Sequence, residues 1–141
     1  MIRKFQLPDL EAVMDLWFHG NTEAHDFVAE EYWRQHFDAV KEMLPKAELY
    51  IYENDNTTAL DGFIGLSGSY IAGIFVKGTA RSQGVGKQLL DYVKAIKGNL
   101  TLKVYERNER AVKFYQREGF VVQSQSTDED TGEQEYLMAW G

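Results

Sequence analysis

Apolar positions along the chain change period twice. Leu10, Val13, Met14 and Trp17 recur at steps of three and four, which predicts a helix. Pro8 suits its first turn and Gly20 its end. A polar connection follows, Asn21 to Phe27. Tyr32, Trp33, Phe37, Val40 and Leu44 then share one side of a second helix, predicted over Val28 to Leu44 and stopped by Pro45. Ahead of both, Ile2 to Phe5 reads as a short strand.

After Pro45 the period shortens to two. Glu48–Glu53 and Leu60–Ser67 read as partner strands on either side of the turn Asn54–Thr57. Tyr70–Val76 is apolar nearly throughout, which predicts a strand buried on both faces. The helical period returns in Val85, Leu89, Leu90, Val93 and Ile96 and ends near Gly98. Leu100, Leu102 and Val104 alternate as a strand, and Asn108 to Arg117 forms a helix closed by Gly119. Two last strands, Phe120–Gln125 and Gln134–Trp140, flank a turn containing Asp130-Thr131-Gly132. The predicted order is β, α, α, β, β, β, α, β, α, β, β. It describes an α/β layout with a mixed sheet: hairpins in the middle, then a β-α-β crossover. With 141 residues and no repeat or linker, one domain over 1–141 is expected.

Composition removes several function classes. There are no cysteines, so disulfides, thiolate ligands and a cysteine nucleophile are excluded. The three histidines, His19, His25 and His36, are poorly spaced for zinc, and no metal is expected. A net charge of −7 argues against nucleic-acid binding and suits a cationic substrate. The N-terminal segment lacks the apolar run of a secretory signal, and no window approaches a membrane span. A soluble cytoplasmic protein without a membrane partner is expected.

The strongest local signal is Arg81-Ser82-Gln83-Gly84-Val85-Gly86-Lys87, after an apolar strand and at the start of a helix. Unpaired N–H groups and the helix dipole favour an anion there. The glycines permit close backbone approach, and Arg81, Lys87 and nearby Lys77 add positive charge. A Walker A loop would need Gly at Arg81 and Ser or Thr at Gln88. A dinucleotide fingerprint would need Gly at Leu89. Both fail, which weakens a kinase or NTPase reading. A second constellation follows the next strand: Asn108 as a helix N-cap, then Ala111 and Tyr115 on one helix face.

Together these segments resemble the GNAT acetyltransferase superfamily. Its central motif is matched by Ile74-Phe75-Val76, then Arg81-x-x-Gly84-x-Gly86, then Leu89 and Leu90. Its next motif is matched by Leu102, Val104, Asn108, Ala111, Phe114, Tyr115, Gly119 and Phe120. His25-Asp26-Phe27, Glu31-Tyr32-Trp33 and the short chain are similar to small bacterial members, some of which are protein-lysine acetyltransferases. Many members carry Pro where this chain has Gly78.

The resemblance implies a mostly antiparallel, mixed seven-stranded sheet flanked by four helices, with a central splayed parallel pair, Tyr70–Val76 and Leu100–Glu106. It implies acetyl-CoA as donor. The pantetheine arm would pair with the backbone of Phe75 and Val76. The pyrophosphate would sit on N–H groups from Ser82 through Gln83, Gly84, Val85, Gly86 and Lys87, with Arg81 beside it. Asn108 would contact the CoA arm, and Ala111 would line it beside Tyr115. A backbone N–H near Ile74 or Phe75 would serve the thioester oxygen. Tyr115 would be the acid toward the leaving thiolate. His25, Asp26 and Glu106 are the candidates for the general base. His25, Asp26, Phe27 and Glu106, with Tyr136 or Trp140, are expected near the acceptor, a protein lysine or a small amine. The alternative is a CoA-binding sensor or interaction module without turnover. Monomer and homodimer both remain open.

Overall fold

Hairpin-forming alternation and three-four periodicity sort the chain into seven strands and four helices. The computed structural model describes residues 1–81 and 83–141; Ser82 lies outside the described residues. The strands are β1 (Ile2–Lys4), β2 (Glu48–Glu53), β3 (Leu60–Ser67), β4 (Tyr70–Val76), β5 (Leu100–Tyr105), β6 (Val121–Thr127) and β7 (Gln134–Trp140). The helices are α1 (Leu10–Ala24), α2 (Glu30–Met43), α3 (Val85–Ile96) and α4 (Glu109–Arg117). One sheet runs β1-β2-β3-β4-β5-β7-β6. Every neighbouring pair is antiparallel except β4 and β5, which run parallel. The right-handed crossover rule places α3 between these two strands.

Strand alternation sends side chains to two cores. Ile64, Leu66, Leu100, Leu102 and Met138 meet Leu89, Leu90 and Val93 of α3 on one face. Leu49, Ile51 and Phe63 meet Val13 and Met14 of α1 and Leu44 on the other. Both helix pairs therefore clamp the sheet by apolar burial.

Three expectations change. Gly20 does not end the first helix; α1 continues to Ala24. The reason is tertiary: a Cβ on Gly20 would stand 2.7 Å from Cδ1 of Phe75, so glycine is there to let the helix approach the sheet. Second, β4 is not buried on both faces. Only Ile71 is buried, and the rest of the strand is half-buried or exposed, because its partner strand departs. Third, the last hairpin is shifted: β6 spans Val121–Thr127 and is exposed along its length, as an edge strand.

Candidate functional site

The site begins where the parallel pair fails. β4 and β5 are paired at Tyr70–Thr101 and Ile71–Leu102. On the other side of β4 the register jumps between Gly65–Gly73 and Leu66–Ile71, leaving Ala72 as the extra residue of a bulge. A bulge bends and twists its strand. Past it, β4 holds on to β3 and leaves β5, and Gly73, Ile74, Phe75 and Val76 face an open cleft of about 1190 Å³.

The floor of the cleft is the start of α3. Gly84 is its N-cap, at φ 80°, a left-handed conformation that favours glycine. Gly86 lines the cleft, and a Cβ there would meet Phe114 at 3.5 Å and Val76 at 3.6 Å, so β4, α3 and α4 converge on it. Val85 is buried beneath the turn. Gln83 is exposed, and its side-chain amide donates to the Thr79 carbonyl at 3.3 Å. The two flanking cations are held by carboxylates. Arg81 donates to Glu23 at 2.9 Å, and Lys87 pairs with Asp91 at 3.2 Å and Glu118 at 3.1 Å. Among the described residues lining the cleft, seven are Lys or Arg and four are Glu. The protein carries a net charge of −7, so the cleft concentrates the opposite sign. Arg110, Lys113 and Arg117 of α4 belong to that lining and carried no motif signal.

The opposite wall is α4. Asn108 caps it by accepting from the Ala111 N–H at 3.3 Å. Its amide nitrogen donates to His25 Nε2, also at 3.3 Å. Tyr115, 8% exposed, faces the cleft from the next turns. Burial raises its phenol above the ordinary value, and neighbouring Tyr70 adds to the shift, so it holds its proton at neutral pH.

His25 follows α1 directly and stacks on Trp33 at 5.4 Å, with Tyr105 edge-on at 5.0 Å and Phe27 at 5.7 Å. Burial pushes the imidazole down to about 4, and the Asn21 backbone opposes this weakly. The ring is neutral, with Nε2 as acceptor, so Nδ1 carries the hydrogen. Phe27 supports this wall from behind, 5.7 Å from Tyr105. The remaining expected residues are not gathered here. Asp26 is exposed and outside the lining. Glu106 is exposed and accepts from Gln125 at 2.9 Å. Tyr136 and Trp140 pack into the core beneath α3 and α4. Ile74, Phe75, Val76, Arg81, Gly84, Val85, Gly86, Lys87, Asn108, Ala111 and Tyr115 do line one cleft.

This arrangement coincides with a match to the acetyltransferase (GNAT) domain over residues 12–138. The chain belongs to the GNAT acetyltransferase family. Peptidyl-lysine N-acetyltransferase YiaC of Escherichia coli is 33% identical over 99% of this chain and 96% of its own length. Peptidyl-lysine N-acetyltransferase YjaB of Escherichia coli is also 33% identical, over 93% of this chain and 88% of its own. The apo solution structure of YjaB superposes with a TM-score of 0.88, covering 99% of this chain and 96% of that one, at 30% identity. A streptothricin-acetyltransferase-like protein of Bacillus anthracis, solved in complex with acetyl coenzyme A, matches at TM-score 0.59 and 27% identity over 66% of this chain and 61% of its own. Among the described residues of this GNAT chain, no group of three or more His, Cys, Asp or Glu gathers as a metal site. Nor is any described helix long and apolar enough to cross a membrane.

Tyr70 and Glu135 of this GNAT domain also escaped sequence reasoning. Tyr70 opens β4 and lines the cleft at the point of divergence. Glu135 lines it from β7. Strand periodicity marked β7 but not its phase: Tyr136, Met138 and Trp140 turn into the core, so Glu135 turns the other way.

Proposed function

We propose that the chain transfers the acetyl group of acetyl-CoA directly to a primary amine, with a protein lysine as the first acceptor class to test. The observation that carries this reading is the cleft between diverging β4 and β5, with a helix N-terminus at its floor and Tyr115 on its wall. The lysine preference is supported by the names of YiaC and YjaB. Acetyl-CoA as donor is supported by the Bacillus anthracis complex.

In this reading the backbone of Ile74, Phe75 and Val76 pairs with the pantetheine arm as an added strand. N–H groups at Ser82 to Lys87 hold the pyrophosphate, with Arg81 and Lys87 beside it. Glu23 and Glu118 keep those two side chains in place until the phosphates compete for them. Asn108 and Ala111 flank the arm. A backbone N–H near Ile74 or Phe75 faces the thioester oxygen as charge develops.

The amine nitrogen bonds to the acetyl carbon, the carbon–sulfur bond breaks, and the nitrogen's surplus proton leaves to water. Tyr115 meets the departing sulfur as a neutral phenol. Because burial raises its pKa, its main contribution is a hydrogen bond to the developing thiolate, which needs no prior ionisation of the ring. His25 is neutral with its one acceptor nitrogen already engaged by Asn108, so in this reading it positions Asn108 and does not take the amine's proton.

The test is release of CoA thiol from acetyl-CoA with lysine peptides, free amino acids and polyamines. The protein has no cysteine, so the thiol signal comes from CoA alone. Release that depends on lysine peptides supports the reading. Tight CoA binding with no release for any amine would replace it with a sensor or interaction module.

A further inference from the structure

Two cleft carboxylates have no part in the chemistry above, Glu109 and Glu135, and of these Glu109 is exposed. Glu135 projects from β7 directly across from Tyr105 of β5. Its strand neighbours Tyr136 and Met138 belong to the α3–α4 core, so it stands on the face that carries α1 and α2. His25 and Trp33 line the same cleft from that face. Glu135 is only 15% exposed, yet the Lys103 ammonium is 3.9 Å from its nearer oxygen, beyond hydrogen-bonding distance. Lys103 itself is 50% exposed and free to swing outward.

The surroundings are those of an alkylammonium seat. Tyr70, Tyr105 and Trp33 line the cleft with Glu135, and aromatic faces favour a cation and its methylene stem. The charge of Glu135 is felt by the Tyr70 phenol, whose pKa rises chiefly by burial and further by that charge. Elsewhere the cleft lining is dominated by cations suited to phosphates. A half-buried carboxylate amid them marks a different ligand charge, and Lys103 shows that a lysine ammonium already approaches this place.

We propose that Glu135 receives the ammonium group of the acceptor before transfer, exchanging its loose contact with Lys103 for a direct charged hydrogen bond; the ammonium then gives one proton to water before its nitrogen attacks. This rests on the amine-acetyltransfer reading and names the residue that selects the acceptor's charge.

The experiment uses the full chain with CoA or acetyl-CoA, a lysine peptide, and the same peptide carrying trimethyl-lysine. The trimethylated peptide keeps the positive charge but has no nucleophile. In wild type it should compete with the lysine peptide. In Glu135→Gln the KM for lysine peptide should rise roughly 10- to 100-fold, the range of a lost charged hydrogen bond, while the inhibition constant of the trimethylated peptide, which has no N–H and loses only the ion pair, should rise severalfold, with CoA affinity unchanged. Lys103→Ala removes the internal competitor and should lower that KM severalfold; it also serves if the Gln variant does not fold. A Gln variant with wild-type KM and wild-type inhibition, or a Lys103→Ala variant with raised KM, overturns the assignment. An enzyme that acetylates no amine refutes the acetyltransfer reading instead, and calorimetry with trimethyl-lysine peptide then still decides on Glu135.

Discussion

His25 Nε2 accepts a 3.3 Å hydrogen bond from Asn108 Nδ2, which ties the end of α1 to the N-cap of α4 across the open sheet. Asn108 Oδ1 is already committed to the Ala111 N–H, so only its NH₂ is left for the imidazole. Protonating Nε2 would set two donors against each other.

This contact makes stability depend on pH. His25 titrates near 6.5 unfolded and is pushed down to about 4 by burial in the folded protein. Between those values the unfolded chain binds more protons, so stability rises with pH there. The contribution is complete above pH 6.5 and is lost as pH falls toward 4, up to about 3 kcal/mol. Urea unfolding at pH 7.5 and 4.5 should show this loss in wild type. In His25→Phe the difference between the two pH values should shrink by about that amount; an undiminished difference would assign the acid sensitivity to other groups.

Tyr115→Phe keeps the ring that packs against Phe114 and Phe120 and removes only the hydroxyl. The fold and CoA affinity should hold, while kcat falls by about 10²-fold, within the usual range for a positioned acid. Thiol release with saturating acetyl-CoA reads the effect. A variant with undiminished kcat would take Tyr115 out of the reaction.

Much of the site was legible because its parts are local. A glycine that must be left-handed, the helix start after it and the Asn108 cap are set by neighbours within a few residues, so Gly84, Gly86 and Asn108 announced themselves. Element order was legible for the same reason. What stayed hidden depends on partners distant in sequence. Gly20 reads as a helix stop until Phe75 is seen against it. Tyr70–Val76 reads as fully buried until β5 is seen to leave. Glu135 and Tyr136 differ by one step of strand phase, and sequence cannot say which face of β7 meets α3.

Gly86→Glu tests the floor of the cleft. The helix tolerates a side chain there, since a Cβ would only touch Phe114 and Val76 at ordinary distance. The carboxylate, however, would place negative charge and bulk among the N–H groups at the start of α3. Calorimetric titration should show CoA binding lost while the circular dichroism spectrum and urea midpoint stay near wild type. Normal CoA affinity would move the phosphate site elsewhere.

Gly20→Ala sets two effects against each other. Alanine inside α1 gains about 1 kcal/mol of helix propensity over glycine. Its Cβ, however, would lie 2.7 Å from Phe75 Cδ1. The ring cannot simply retreat. Its far edge already occupies the space where a Cβ on Gly73 would sit, 2.5 Å from Cε2, and its face is stacked on Phe63 at 5.1 Å. Overpacking a filled site costs about 1–3 kcal/mol, so the clash should win and the variant should lose roughly 1 kcal/mol net. A urea midpoint below wild type is expected. With Phe75→Leu the ring is gone and the propensity term remains, so adding Gly20→Ala to that background should be neutral or stabilising. A stabilised single variant would mean that Phe75 moves freely, and the close approach of α1 to β4 would need another cause.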